Sequence, residues 1–172
     1  MRAFAASTLL ACLPLWMTAS HQDRGADKTA APASPPLQPT ADPELQCLAL
    51  NIYHEARSEP ELGQIAVAQV TLNRVQSPAF PGSICAVVKQ GEPMPGRCQF
   101  SWWCDGRPDR PTEPIAWQQA LAISKRVITD KVVDPTQGAL YYHTTSVKPD
   151  WAGRFKRTTR IGRHLFYRPA RS

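Results

Sequence analysis

Two patterns of apolar residues divide the chain, a helical period in its middle and a β-type alternation near its C-terminus. The stretch PELQCLALNIYHEAR predicts an amphipathic helix, because its apolar residues recur at spacings of three and four: Leu45, Leu48, Ile52 and Ala56. A second helix is predicted to run through about Val75, since Ser58 and Glu61 have the spacing of a capping box and Pro60 is tolerated in a first turn. This second helix, ELGQIAVAQVTLNRV, is so apolar that most of its surface must be covered.

A third predicted helix, EPIAWQQALAISKRVITD, starts around Thr112, Glu113 and Pro114. One face of this helix carries Trp117, Ala120, Leu121, Ser124 and Ile128. Beyond Gly138, the segments ALYYHTTSV, RFKRTTRI and RHLFYR are rich in aromatic and β-branched residues and predict strands, with Gly162 in a turn. The pattern predicts an α+β fold that is mainly helical and has a β-rich C-terminal portion.

The N-terminal segment has the composition of a targeting signal. Arg2 precedes the apolar run AFAASTLLACLPLWMTAS, which ends in small residues, so a cleaved signal peptide is predicted over residues 1–20. The run is too short and too poorly flanked to predict a transmembrane span. Alternatively, the LLAC that ends at Cys12 has the pattern of a lipoprotein signal, which would leave Cys12 lipidated. Either signal predicts an exported protein of the periplasm or cell envelope.

The segment that follows contains almost no large apolar residues. Residues 21–44 are rich in Pro and Ala, a composition that cannot bury enough surface to fold and that predicts a disordered linker. The folded domain is therefore expected over residues 45–168, with a short tail at 169–172. A chain of 172 residues has room for one such domain.

Four of the five cysteines fall in this predicted domain: Cys47, Cys85, Cys98 and Cys104. An even number in a small exported domain predicts two disulfides, and four cysteines allow three pairings among which the sequence does not choose. The expected pairs are Cys98 with Cys104, which would close a short loop, and Cys47 with Cys85, which would tie a helix to a later turn. A zinc site is the alternative, but the cysteines lack CxxC spacing.

Glu55 is the first candidate for catalysis. It follows Ile52 by three positions and lies beside the apolar stripe of the first predicted helix, so partial burial is expected. Burial raises the pKa of a carboxyl, which can then hold a proton for donation to a glycosidic oxygen at neutral pH. The alternative is a surface residue paired with Arg57 or Arg74. A zinc-protease helix is excluded, because Ser58 stands where that motif needs its second His.

Glu59 is a second acidic residue, four positions after Glu55. Two carboxyl groups would suit a glycosidase, but Pro60 restricts Glu59 and the predicted helix break lies between the two. The favoured interpretation is that Glu59 orients the turn or stabilises the N-terminus of the second helix. Contact of Glu59 with the substrate is the other hypothesis.

Five segments together resemble the SleB/CwlJ cell wall hydrolase family: CLALNIYHEARSEPELGQIAVAQVTLNRV, FPGSICAVV, CQFSWWCDG, ALYYHTTSVKPDW and IGRHLFY. They span roughly residues 45–168 and stand in the order of the family. The family pattern usually reads EARGEP, where this chain has Ser58 in place of Gly, which changes the turn and not the chemistry.

The resemblance implies a lysozyme-like fold related to the lytic transglycosylases, activity on peptidoglycan, and Glu55 as the catalytic acid. It implies cleavage between N-acetylmuramic acid and N-acetylglucosamine, with a 1,6-anhydro product if the muramoyl 6-hydroxyl attacks. A hydrolytic muramidase or glucosaminidase and a non-catalytic peptidoglycan-binding protein are the alternatives. An amidase or peptidase would need a metal cluster or a Cys/His pair, and the sequence offers none, so neither metal nor cofactor is predicted.

Further residues are candidates for binding the substrate. Aromatic faces and amides suit sugar rings, and the loop between the last two cysteines carries Gln99, Phe100, Trp102 and Trp103. Gln64 and Asn73 on the second helix could face a cleft or brace the fold. In YYHTT, alternation places Tyr141 and His143 on one face and Tyr142 on the other. A structural role is the alternative for both His143 and His164.

The C-terminal segment is strongly basic. Residues 148–172 contain eight lysines and arginines and one acidic residue, Asp150. Such a segment favours an anionic polymer of the envelope or a membrane surface as a partner. Nucleic acid would also suit basic residues interleaved with aromatics, but export argues against it. A solvated surface without a partner is the remaining alternative, and the sequence predicts no oligomeric state.

Overall fold

The computed structural model describes residues 42–91, 96–130 and 132–170. The predicted signal peptide, Cys12, the linker up to residue 41 and the last two residues of the tail lie outside these ranges. The boundaries assigned to them stay predictions, except that residues 42–44 cap and begin the first helix and do not belong to the linker. Within the described ranges, no helix is both long enough and apolar enough to cross a membrane.

Helices form the larger part of the described chain and a small sheet closes it. The helices are α1 (Pro43–Ala56), α2 (Glu61–Val75), α3 (Ile84–Val88) and α4 (Pro114–Thr129), and the strands are β1 (Tyr141–Thr144), β2 (Lys156–Ile161) and β3 (His164–Arg168). Short 3₁₀ helices lie at Ser101–Cys104 and Asp150–Arg154. This order confirms the predicted α+β fold, which is mainly helical with a β-rich C-terminal portion.

Helix α1 is the central element and packs against α2, α3 and α4. The carboxylate of Asp42 caps its N-terminus by accepting the N–H groups of Glu44 and Leu45 at 2.9 and 3.4 Å. Pro43 fits the first turn, where its missing N–H has no partner to lose. The predicted stripe faces the core, since Leu48, Ile52 and Ala56 are buried and Leu45 is half-buried.

Helix α2 begins differently from the prediction. Pro60 occupies the N-cap position, and its carbonyl accepts the N–H groups of Gly63 and Gln64 at 2.8 and 3.2 Å. Ser58 lies two residues too early to form the expected capping box, and its hydroxyl accepts a 2.6 Å hydrogen bond from the Arg163 guanidinium instead. The capping-box prediction is therefore wrong, whereas the end of the helix at Val75 is confirmed.

Helix α3 was not predicted, because five residues are too few to show a helical period. Its N-terminus is held by two side chains. The Ser83 hydroxyl accepts the N–H of Ala86 at 3.2 Å, and the carboxylate of Glu44 on α1 accepts the N–H of Ile84 at 2.6 Å. These contacts place α3 beside the first turn of α1.

Both expected disulfides are present. Cys47 and Cys85 join α1 to α3, with their Cα atoms 5.2 Å apart. Cys98 and Cys104, whose Cα atoms are 6.1 Å apart, close the loop that contains the 3₁₀ helix Ser101–Cys104. The disulfide prediction and its pairing are confirmed.

Helix α4 begins at Pro114, with Glu113 at the N-cap position. The hydroxyl of Tyr53 on α1 accepts the N–H groups of Thr112 and Glu113, both at 3.1 Å, so α1 fixes where α4 starts. The residues that α4 buries are Trp117, Ala120, Ile123, Ser124 and Val127. The predicted face is correct at Trp117, Ala120 and Ser124. Leu121 is half-buried and Ile128 is 37% exposed, and Ile123 and Val127 are buried in the core instead.

The three strands form an antiparallel sheet in the order β1-β3-β2. Tyr142 pairs with Phe166 in register, and Phe166 packs on Ala66 and Val70 of α2, which joins one sheet face to the helices. The predicted turn at Gly162 connects β2 to β3 with a φ of +55°. A Cβ at Gly162 would collide with the Glu59 carboxylate, so this turn needs glycine for both its backbone and its space.

Candidate active site

Glu55 lies in the last turn of α1 and is half-buried. Its Oε2 atom accepts a 3.0 Å hydrogen bond from the Tyr142 hydroxyl of β1. Burial raises the pKa of the Glu55 carboxyl above its ordinary value, and the Tyr142 hydrogen bond and the Arg74 charge oppose that rise without cancelling it. Glu55 has no salt bridge within the described residues, and Arg57 pairs with Glu113 at 2.8 Å. The surface ion pair considered for Glu55 is therefore wrong.

Tyr142 is the strand residue that reaches the helical part of the site. Its pKa is raised well above the ordinary value, first by burial and then by the charge of Glu55. The hydroxyl consequently keeps its proton and acts as a donor to Glu55. Because Tyr142 occupies one Glu55 oxygen, the other oxygen, Oε1, is left for chemistry.

Arg74 of α2 is a charged side chain that is only 2% exposed. Its Nε donates to the Leu140 carbonyl at 2.8 Å, and its guanidinium lies over the rings of Phe80 and Phe100. The Gln99 amide lies 3.1 and 3.2 Å from its terminal nitrogens, an arrangement in which the amide oxygen accepts. Burial lowers the pKa of Arg74, and no salt bridge to it occurs in the described parts of the chain.

A cleft of about 350 Å³ opens beside these groups. It is lined by Arg74, Gln99, Tyr141, Tyr142, Trp151, Arg154 and Phe155. Tyr141 and Phe155 stack in parallel with their centroids 4.4 Å apart, and Trp151 packs 5.8 Å from Tyr141. The cleft therefore has an aromatic wall built from β1 and the 3₁₀ helix Asp150–Arg154, and Tyr142 connects it to Glu55.

The predicted substrate-binding residues are distributed over two places. Gln99 and Tyr141 line the cleft, and Phe100 lies buried beneath the Arg74 guanidinium. Trp102 and Trp103 instead line a separate groove of about 190 Å³ beside the Cys47–Cys85 disulfide. The disulfide loop thus presents its glutamine to the cleft and its tryptophans elsewhere. Contact of the tryptophans with substrate stays a prediction.

The remaining candidates make bonds inside the fold. His143 is buried, with its Nε2 3.0 Å from the Tyr167 hydroxyl and its Nδ1 2.8 Å from the Thr144 carbonyl. The Gln64 amide donates to the Glu59 carbonyl at 3.0 Å, and Asn73 donates to Asp134 and to the Ala139 carbonyl, both at 3.0 Å. These bonds support the structural alternatives. A role of His143 or Gln64 in substrate binding stays a prediction.

Glu59 is held in a rigid and polar environment. Its side chain is 2% exposed, and its two oxygens accept the N–H and Nε of Arg163 at 3.0 and 2.7 Å. Burial tends to raise the pKa of Glu59, but the hydrogen bonds from Arg163 outweigh it and lower the pKa. Both Glu59 oxygens accept hydrogen bonds from the turn between β2 and β3, which agrees with the favoured interpretation that Glu59 orients a turn. Binding of substrate by Glu59 stays a prediction.

Four residues around the site were not proposed from the sequence as substrate contacts or as partners of the acid: Tyr142, Trp151, Arg154 and Phe155. Arg74 was considered only as an ion-pair partner of Glu55 at the surface. The sequence did hint at a special role for Arg74, since it is a charged residue on a helix so apolar that most of its surface must be buried. A signal for Tyr142 was also present, because alternation turned it away from Tyr141. The segment DWAGRF, which supplies the other three, has no periodic pattern from which its place could be inferred.

A mainly helical domain with a half-buried acid beside an aromatic cleft has the features of a glycan-cleaving enzyme. Residues 58–167 match the family described as Cell Wall Hydrolase, and the chain belongs to this family. This membership confirms the resemblance noted in the sequence.

Relatives and solved structures agree with this assignment. The chain is 34% identical over 127 residues to the spore cortex-lytic enzyme of Bacillus subtilis, an alignment covering 72% of the chain and 37% of that protein. It is 33% identical over 129 residues to the spore cortex-lytic enzyme of Halalkalibacterium halodurans, covering 73% and 35%. The chain thus spans little more than a third of the length of these relatives.

The catalytic domain of the Bacillus cereus SleB protein superposes with a TM-score of 0.56 at 31% identity, covering 73% of this chain and 89% of that one. The catalytic domain of the germination-specific lytic transglycosylase SleB from Bacillus anthracis gives 0.55 at 29% identity, covering 76% and 100%. The fold is therefore that of the SleB catalytic domains, as the resemblance implied.

The Glu59 ion pair generates a prediction about stability and pH. The folded pKa of Glu59 lies below its ordinary 4.5, so its stabilising effect is complete above about pH 4.5 and is lost as pH falls through the folded pKa. Glu59→Gln should lower the free energy of unfolding at neutral pH by about 1–3 kcal/mol and remove this part of the acid destabilisation. Urea unfolding followed by tryptophan fluorescence between about pH 7 and 3 measures both effects.

Glu61→Gln is the matched control, because Glu61 pairs with Arg126 on the surface at 2.5 Å with both side chains largely exposed. Its loss should cost less than about 1 kcal/mol and leave the pH dependence nearly unchanged. Equal losses in the two variants would contradict the special role given to Glu59.

Proposed function

We propose that this protein cleaves the glycan strands of peptidoglycan between N-acetylmuramic acid and N-acetylglucosamine, with Glu55 as general acid and then general base. The observation that carries the proposal is a half-buried carboxyl with a raised pKa, held by a tyrosine at the edge of an aromatic cleft. The names of the relatives support it, since they describe a spore cortex-lytic enzyme and a lytic transglycosylase.

In the proposed first step, Oε1 of protonated Glu55 gives its proton to the glycosidic oxygen as the bond from that oxygen to the muramoyl C1 breaks. The sugar passes through an oxocarbenium-like transition state, and Glu55 is left as a carboxylate. Tyr142 stabilises that carboxylate by donating to Oε2, and the nearby charge of Arg74 also favours it. The groups that oppose the raised pKa thus assist the charge that develops during bond cleavage.

In the proposed second step, the Glu55 carboxylate takes the proton of the muramoyl 6-hydroxyl as O6 bonds to C1. This step gives a 1,6-anhydro product and restores the acid. A hydrolase commonly uses a second carboxylate to activate water or to attack C1. The carboxyl nearest to Glu55 in the chain, Glu59, has both oxygens occupied by Arg163, which favours the transglycosylase outcome. Hydrolysis at the same acid is the second candidate.

The setting of this activity is a separate part of the proposal. We infer export to the periplasm or cell envelope from the N-terminal sequence, with lipidation of Cys12 as the alternative to cleavage. The germination role named for one relative is not carried over, because the chain covers only part of its curated relatives.

Replacing Glu55 by Gln removes the transferable proton and keeps the size of the side chain. Release of soluble fragments from purified peptidoglycan should fall at least about 100-fold, with folding unchanged. Mass spectrometry of the wild-type products should show fragments one water lighter than the hydrolytic ones. Ordinary reducing fragments would replace the transglycosylase assignment by a hydrolase. Equal release from the Glu55→Gln variant would refute the assignment of Glu55, and no release from the wild type would favour a binding protein.

Replacing Tyr142 by Phe tests how Glu55 is tuned. The Tyr142 hydrogen bond lowers the Glu55 pKa against the effect of burial, so its loss raises that pKa further. Since the acid works only while protonated, the alkaline limb of kcat/KM should move to higher pH, and the maximal rate should fall about 10- to 100-fold.

The profile is measured by release of labelled peptidoglycan fragments between about pH 4 and 9. Tyr141→Phe is the matched control, because Tyr141 lines the cleft without a hydrogen bond to Glu55, and its alkaline limb should stay in place. An unmoved limb in Tyr142→Phe, or a shift to lower pH, would contradict this account.

We further propose that an anionic surface of the envelope is bound by the basic edge strand, defined as Lys156, Arg157 and Arg160 of β2. All three side chains are exposed, and none has a salt bridge within the described ranges. β2 lies at the edge of the sheet, so these side chains are open to a large partner. Their unpaired charges support a polyanion as that partner.

Changing the three residues of the basic edge strand together to Gln should weaken binding to vesicles containing phosphatidylglycerol on the order of 100-fold at low salt. The wild-type affinity should fall steeply with added salt, and neutral phosphatidylcholine vesicles should bind neither protein. A control with the same change of net charge replaces three exposed cations elsewhere: Arg107, Arg110 and Lys125. An equal loss of vesicle affinity in this control would show that binding depends on the net charge of the protein and not on β2.

A further inference from the structure

The cleft carries positive charge without a negative partner. Two of its lining residues, Arg74 and Arg154, are arginines, and no described residue of the lining is acidic. Glu55, which interacts electrostatically with Arg74, makes no salt bridge with it in the described ranges. A concave surface with excess positive charge favours an anionic group on its ligand.

The two arginines differ in what they can reach. Arg74 is buried, and its guanidinium is already occupied by the Leu140 carbonyl and the Gln99 amide. Arg154 is exposed and makes no hydrogen bond or ion pair with any part of the chain that the structure describes. Arg154 is therefore the residue with free donors at the cleft.

The backbone that carries Arg154 is fixed by aromatic contacts. Trp151 and Phe155 flank it in the chain, and both pack against Tyr141 on the cleft wall. Trp151 also meets the ring of Tyr167 edge-on at 5.5 Å, which anchors the 3₁₀ helix to the sheet. A guanidinium on a fixed support beside an aromatic wall can bind the ring and the acidic substituent of one sugar together.

We propose that Arg154 and the aromatic wall of Tyr141, Trp151 and Phe155 form a subsite for a sugar that bears a carboxylate. This inference rests on the proposed function, because it identifies which sugar of the peptidoglycan strand occupies this part of the cleft. N-acetylglucosamine is neutral, whereas the muramic sugar carries a lactyl group that ends in a carboxylate or in a peptide with carboxylates. Recognition of that substituent fixes the register of an alternating strand and thus selects which bond meets Glu55.

Binding is measured in the full chain with Glu55→Gln, so that ligands are not consumed. Three soluble probes separate the sources of the carboxylate: an N-acetylglucosamine oligomer without one, a N-acetylglucosamine–N-acetylmuramic acid oligomer with free lactyl groups, and the same oligomer with peptide stems. Isothermal titration gives Kd for each probe. At least one carboxylate probe should bind about tenfold more tightly than the neutral oligomer, and the tighter of the two identifies the group recognised.

Adding Arg154→Gln should abolish this preference while leaving the affinity for the neutral oligomer within about twofold. Arg154→Lys should keep part of the preference, since it retains a charge without the planar fork. Arg110→Gln removes an exposed arginine that does not line the cleft and should leave the preference intact.

An undiminished preference in Arg154→Gln, an equal loss in Arg110→Gln, or no preference in the parent protein would each overturn the subsite. These results are independent of product analysis with Glu55→Gln. If that variant stayed active while Arg154 still governed the preference, the proposed mechanism would fail and the subsite would stand.

Discussion

The fold around the site depends on one buried carboxylate. Glu59 accepts both the backbone N–H and the guanidinium of Arg163, and it lies against Gly63 and Gly162, where a Cβ would meet its side chain. It thereby joins the turn between α1 and α2 to the turn between β2 and β3. The Glu55 carboxyl comes from the helical side of this junction and the Tyr142 hydroxyl from the sheet side. Their 3.0 Å hydrogen bond requires that the two sides stay at a fixed distance, and the Glu59 ion pair supplies that restraint.

The carboxyl groups on either side of the turn after α1 show how the surroundings of two identical groups give them different pKa values. Glu55 and Glu59 are four residues apart, and their pKa values are shifted in opposite directions. Both are removed from water, which raises the pKa of each. Glu59 has an ion pair and a backbone N–H to stabilise its charge, whereas Glu55 has one neutral hydroxyl and a guanidinium that makes no salt bridge with it. Glu59 is therefore a structural anion, and Glu55 suits the proton donor of the proposed mechanism, as expected when neighbouring environments separate two pKa values.

The sequence predicted the elements well and the cleft incompletely, for physical reasons. The long helices were predicted correctly because the spacing of Leu48, Ile52 and Trp117 reflects which helix face is buried, and the strands were predicted from their aromatic and β-branched residues. The even number of cysteines predicted two disulfides, and both expected pairs occur. The cleft wall was missed, because Trp151 lies in a short 3₁₀ helix and Phe155 directly follows it. Both are placed by packing on Tyr141, a contact between residues with no shared period. The capping box failed for a related reason: the Ser58 hydroxyl is taken by Arg163, more than 100 residues away in the chain.

A site with a single carboxyl must make that group serve in both of its protonation states. Burial alone would give a strong preference for the neutral form and would oppose proton donation, while an adjacent ion pair would hold the anion and leave nothing to donate. Arg74 lies between these limits, because its own charge is partly compensated by the Leu140 carbonyl and the Gln99 amide. In the proposed mechanism, Arg74 favours the Glu55 carboxylate that forms when the glycosidic bond breaks, without forcing Glu55 to ionise beforehand. This moderate effect on the Glu55 carboxylate gives a reason for a buried arginine at this position of α2. An apolar side chain would pack there at a lower desolvation cost.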